Sequence, residues 1–85
     1  MTRQRTLEGG KNLISKQLRE LREEHNLSIR GLSDELKKLG YEIDRNVICR
    51  IENDERYVTD VEVKAFVEVF NVDYAYLIEG KKKNA

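Results

Sequence analysis

Residues 27–53 read LSIRGLSDELKKLGYEIDRNVICRIEN, and the spacing of apolar and capping residues in this stretch decides the fold. Ser28 is a good helix N-cap, because its hydroxyl can take an amide proton that the first turn leaves unbonded. Ile29, Leu32, Leu36 and Leu39 then recur at helical spacing, and Gly40 ends the run. Gly31 inside this helix costs about 1 kcal/mol relative to alanine, which points to close packing against a neighbour. Tyr41, Glu42 and Ile43 form a connector whose Ile43 plugs the core. Asp44 caps the next helix, Arg45 to Glu52, with Val47, Ile48 and Ile51 as its buried candidates. Ile48 and Ile51 share one face, which leaves Arg45, Asn46, Cys49, Arg50 and Asn53 as a polar strip on the other.

Upstream, Ile14, Leu18 and Leu21 mark a helix from about Asn12 to Glu24, stopped at His25-Asn26 by an asparagine that tolerates the left-handed region. His25 reads as a helix-end residue. Residues 1–11 lack apolar periodicity and read as a flexible basic arm. Downstream of the polar loop Asn53–Tyr57, Thr59-Asp60-Val61-Glu62 is a capping box. The helix it starts has Ala65, Phe66, Val69 and Phe70 on its inner face and ends at Asn71. Asp73 caps a last short helix, Tyr74 to Ile78, terminated by Gly80, and residues 80–85 are a lysine-rich tail. The expected architecture is all-α: a compact five-helix bundle over residues 12–79.

Composition excludes much else. The chain has no proline, four tyrosines and two phenylalanines, and a high share of Leu, Glu, Lys and Arg, which favours helices. Its single cysteine, Cys49, cannot form an internal disulfide. With one histidine it cannot build a four-ligand zinc site either. There is no P-loop, dinucleotide fingerprint or nucleophile elbow. The carboxylates are scattered along helix faces as solvated surface. We therefore expect no enzymatic activity, metal, cofactor or small-molecule substrate. No stretch approaches the roughly 20 apolar residues of a membrane span, so the expected location is the cytoplasm.

The sixteen basic and sixteen acidic residues cancel, but unevenly along the chain. Arg3, Arg5 and Lys11 outweigh Glu8 in the arm, and Lys81, Lys82 and Lys83 close the tail. Residues 53–80 are acidic, with seven carboxylates against Arg56 and Lys64. A molecule with one basic side can still bind phosphate there. The central helix pair suits that task. A brace helix joined to a second at a steep angle lets the second enter the major groove of B-DNA. Arginine can grip guanine O6 and N7, and asparagine can pair with adenine N6 and N7. Arg45, Asn46 and Arg50 are the leading candidates, and Val47 can pack on a thymine methyl if it faces outward. The bland reading pairs Arg45 and Arg50 with Asp44, Glu52 or Asp54 as ordinary surface charges, and makes Cys49 a small filler.

The blocks Leu27–Leu36 and Arg45–Asn53 resemble the helix-turn-helix of the lambda-repressor-like (Cro and XRE-type) family, where they read roughly LSQEELA and SRSTISRIERG. Phe70–Leu77 stands where that family has LGVSLDEL, so the resemblance covers about residues 12–79. It implies that Arg45, Asn46 and Val47 contact bases, and that Cys49 and Arg50 touch bases or phosphates one turn on. Ser28 and Arg30 would meet a phosphate at the start of the brace helix, while Asn53 and Arg56 would contact the sugar-phosphate backbone. Glu52 matches a structural glutamate. Three departures stand out: Ile29 replaces the family's glutamine, the connector between Leu36 and Asp44 is longer than the usual tight turn, and Glu42, Asp44, Asp54 and Glu55 flank the presumed reading helix. The resemblance implies a sequence-specific regulator of double-stranded DNA, bacterial or phage-derived, acting as a repressor. It would work as a homodimer on a roughly palindromic operator, with dimer contacts drawn from Tyr74, Tyr76, Leu77 and Ile78, some of which must close the core. The alternative is a protein-interaction module or antitoxin-like regulator that holds a partner protein with the same fold.

Overall fold

Helix ends are set by local chemistry almost throughout. The computed structural model describes residues 10–80, so the arginines of the arm and the lysines of the tail lie outside the described residues. Five helices follow in order: α1 Ser15–Glu24, α2 Ile29–Lys38, α3 Arg45–Glu52, α4 Asp60–Phe70 and α5 Tyr74–Glu79. There is no strand among the described residues. Ser28 Oγ accepts the Gly31 amide at α2, Asp44 Oδ1 accepts the Val47 amide at α3, and Thr59 with Glu62 closes the capping box at α4. Each interaction spans three residues, which is why the starts of these helices can be read from the residues alone.

The stops are equally local. After α1, Asn26 takes a left-handed φ of 56°, and the Leu27 amide reaches back to the Arg22 carbonyl. Gly40 does the same after α2 and Asp54 after α3, with the Tyr41 amide on Leu36 and the Glu55 amide on Arg50. Asn71 repeats the arrangement after α4. This six-to-one closure satisfies carbonyls that a helix end otherwise leaves open.

Some boundaries differ from expectation, for physical reasons. α1 begins at Ser15 rather than Asn12, because the Asn12 side chain is used elsewhere. Its Oδ1 accepts the Ile14 amide, and its Nδ2 donates to the carbonyls of Ile51 and Arg56. Asp73 holds the N-cap position of α5 but makes no side-chain cap bond. Leu39 is about half exposed rather than buried, since α2 has already ended and the chain is turning. Gly31 does sit at a close approach, though to its own N-cap: a Cβ there would lie 3.2 Å from Ser28 Oγ and 3.4 Å from Leu27 Cδ2.

The core gathers Ile14, Leu18 and Leu21 of the first segment with Leu32 and Leu36 of α2, and Ile48 and Ile51 of α3. Ile43, Ala65, Phe66, Phe70, Tyr76 and Leu77 complete it. Burying each large side chain contributes roughly 1.5–3 kcal/mol. Tyr76 and Leu77, expected as dimer contacts, are buried in this core, whereas Tyr74 is half exposed. Val69 is only partly buried against it. His25 closes one end, its Nδ1 bonded to the Leu21 carbonyl and its ring 5.0 Å from that of Phe70. α3 packs against both α1 and α2, α4 against α2 and α5, and α5 against α1.

Among the described residues, one charged group lies inside. The Glu52 carboxyl, 2% exposed, receives Arg22 Nε at 2.6 Å and Nη2 at 3.0 Å. Arg19 Nε lies 3.4 Å from the same carboxyl, and its Nη2 reaches the Glu52 carbonyl. The hydrogen bond to Glu52 raises the Arg22 pKa above the ordinary arginine value, against the lowering effect of partial burial. Removing the carboxylate would strand Arg22, which is mostly covered, so Glu52→Ala is expected to destabilise the fold by about 3 kcal/mol. Urea denaturation measures this; a loss below about 1 kcal/mol would reduce the pair to the value of an ordinary surface ion pair.

Candidate nucleic-acid interface

The outer face of α3 follows from the inner one. With Ile48 and Ile51 fully buried and Val47 half-buried against the core, the remaining positions of a 3.6-residue repeat must point outward. Arg45, Asn46 and Arg50 are exposed there, and Cys49 is partly covered. Val47 therefore offers only part of its surface outward.

Three of the surrounding acids are already engaged. Asp44 Oδ1 holds the Val47 amide at 3.0 Å, and Glu52 is held by Arg19 and Arg22. Asp54 Oδ1 accepts the amides of Lys11 at 2.8 Å and Asn12 at 3.0 Å. None of the three pairs with Arg45 or Arg50, and among the described residues neither arginine enters an ion pair. The bland pairing considered from the sequence is not what the structure has. Of the flanking acids, Glu42 and Glu55 remain exposed beside the strip.

Other candidates are placed less simply. Ser28 and Arg30 are exposed at the start of α2, where the field of the helix N-terminus favours an anion. The Ser28 oxygen already takes the Gly31 amide, so what it has left to offer is its hydroxyl proton. Asn53, the C-cap of α3, accepts Arg19 Nη2 through Oδ1 at 2.9 Å and donates from Nδ2 to Cys49 Sγ at 3.5 Å. Arg56 is committed inward: its Nη1 lies 3.0 Å from Glu62 Oε2, and its carbonyl accepts from Asn12. It tethers the loop to the first turn of α4, and its guanidinium is less accessible to a phosphate than the sequence suggested.

Several side chains that hold this surface in place went unnoticed in the sequence. Arg19 and Arg22 fix the C-terminal end of α3 from α1, and the only hint was a pair of arginines at helical spacing. Asn12 and Asp54 clip the segment before α1 onto the loop after α3, tying down Lys11 at the end of the expected arm. Gly10 passes so near the Asp54 carboxylate that a Cβ there would collide with it. On the other side, Ser33 Oγ donates to the Ile43 carbonyl at 2.8 Å, and Tyr41 Oη donates to Glu68 Oε1 at 2.9 Å. The bond to Glu68 raises the Tyr41 phenol above its ordinary pKa.

Among the described residues no group of three His, Cys, Asp or Glu side chains is placed to hold a metal ion, and no helix is long and apolar enough to cross a membrane. We find no match to the chain among curated proteins or among solved structures. A helix-turn-helix family model does match, over residues 18–77, a span that runs from within α1 through the middle of α5. With that span, the all-α architecture and the capped, outward-facing α3, the chain belongs to the helix-turn-helix family of the XRE and lambda-repressor type, a family of DNA-binding regulators.

Proposed function

We propose that this protein is a sequence-specific transcriptional repressor that reads double-stranded DNA by placing α3 in the major groove. One observation carries the reading: Arg45, Asn46 and Arg50 share an exposed strip and make no ion pair among the described residues, while the acids beside them bond elsewhere, Glu52 to Arg19 and Arg22, and Asp44 and Asp54 to backbone amides. Arg45 and Asn46, in the first turn, are the base readers, by bidentate contacts to guanine or adenine. Arg50, with Cys49 beside it, lies one turn on and contacts bases or phosphate. The start of α2, with Ser28 and Arg30, docks on the backbone through helix-terminal N–H groups. Asn53 contacts the sugar-phosphate chain at the other end of α3.

The protein acts as a homodimer. Val61 and Tyr74 are among the most exposed large apolar side chains, and with Val63 and Ile78 they line one shallow groove rimmed by Asp60 and Lys64. Tyr74 and Ile78 are the two expected dimer contacts that the core leaves available. If the dimer follows the usual two-fold arrangement of helix-turn-helix proteins, its half-sites lie about 34 Å apart. Bound there, it represses by blocking access to the promoter. Tyr74→Glu should yield a folded monomer in sedimentation equilibrium; a dimer that survives it would move the interface elsewhere.

Two measurements test DNA reading. Affinity for a site selected from random duplexes should fall steeply with salt, with a log–log slope of about −0.9 for each phosphate neutralised. If no duplex is bound at low salt, the reading is wrong. Arg45→Ala should cost about 1–3 kcal/mol on the preferred site and relax base preference at one position. Arg56→Ala should instead lower thermal stability and leave base preference as in the parent, because its guanidinium is spent on Glu62. An Arg45→Ala protein that ranks all sequences as the parent does would exclude Arg45 as a base reader.

A further inference from the structure

The connector between α2 and α3 is held at nearly every residue. Gly40 turns the chain with a φ of 96°, and the Tyr41 amide closes α2 on the Leu36 carbonyl. Tyr41 Oη then reaches across to Glu68 on α4. Ile43 is 7% exposed in the core, and its carbonyl accepts the hydroxyl of Ser33 from the middle of α2. Asp44 follows at once and caps α3. Only the Glu42 side chain is exposed within the span 41–43.

A longer connector should loosen the angle between two helices, because each added residue brings two soft dihedrals. Here the Tyr41–Leu36 closure and the burial of Ile43 restrict that freedom, and two side-chain hydrogen bonds restrict it further, one at each end. Ser33–Ile43 ties the residue before the α3 cap to α2, and Tyr41–Glu68 ties the start of the connector to α4. The two bonds anchor the connector to different helices, the part-buried one to α2 next to the α3 cap and the exposed one to α4.

We infer that Ser33 and Tyr41 are positioning residues for base reading, pinning the lengthened connector so that α3 meets the groove at one angle. The inference rests on α3 being the groove-bound helix. Neither residue touches DNA; each acts through the connector backbone. A misaimed helix still attracts phosphate but presents Arg45 and Asn46 to the wrong atoms, because phosphate attraction is non-directional whereas bidentate base contacts are geometric. Loss of the pins therefore lowers discrimination rather than general affinity.

The test compares parent, Ser33→Ala, Ser33→Thr and Tyr41→Phe on the selected duplex and on a scrambled duplex of equal length. Ser33→Ala and Tyr41→Phe should each lose about tenfold in the ratio of specific to non-specific affinity, part of the value of one bidentate contact. Non-specific affinity and its salt slope should stay within about twofold of the parent. Ser33→Thr, which keeps the hydroxyl, should restore the ratio. In the free protein, nitrogen-15 relaxation should show added motion at residues 42–46 in Ser33→Ala and none in Ser33→Thr. A folded Ser33→Ala with an unchanged ratio overturns the inference, as does an equal fall in both affinities, the mark of lost folded protein. Unchanged relaxation at 42–46 overturns it independently of DNA. A parent that binds neither duplex at low salt overturns the proposed function itself, a result visible before any substitution is made.

Discussion

One buried carboxylate among the described residues anchors the helix proposed to meet DNA. Glu52 ends α3 inside the molecule, where a bare charge would be strongly disfavoured. Arg22 supplies two hydrogen bonds and Arg19 a longer third contact, all from α1. The pair therefore does more than neutralise a charge. It fixes the C-terminal end of α3 against a helix that precedes it by a loop, another helix and a long connector. Arg19 extends the grip to the Glu52 carbonyl and the Asn53 side chain. A planar guanidinium with several fixed donors can hold a carboxylate, a carbonyl and an amide together, which a lysine could not.

With one end anchored, the two faces of α3 acquire separate roles. The inner face is apolar and would be so in any protein of this shape. The outer face is the one proposed to meet DNA, and its availability depends on where nearby acids direct their oxygens. Asp44 and Asp54 are turned to backbone amides, one as a helix cap and the other as a clip on the segment entering α1. Neither competes for Arg45 or Arg50 through a direct pair among the described residues. The zero net charge of the chain therefore misdescribes the local situation.

The same economy governs the connector. An insertion that could act as a flexible hinge is held to α2 by a serine hydroxyl and to α4 by a phenol, while Ile43 seats it in the core. The proposed recognition of a rigid duplex would gain from such rigidity, because a helix that samples many angles loses entropy on docking.

The sequence by itself determined the helices and their order. Ser28, Asp44 and Thr59 start helices by bonds to residues three positions away, and Asn26, Gly40 and Asn71 stop them by their own tolerance of positive φ. Such interactions close within one turn, so residue type and spacing suffice. The outward strip Arg45, Asn46 and Arg50 was legible for the same reason, from the repeat of Ile48 and Ile51. Only the tertiary structure decided which charges meet. Arg19 and Glu52 are 33 positions apart, Asn12 and Asp54 are 42, and Tyr41 and Glu68 are 27. With sixteen acids and sixteen bases available, residue chemistry permits many pairings. The choice among them is made by how the core brings the helices together, and among the described residues that choice left Arg45 and Arg50 outside the ion pairs while drawing Arg56 inward.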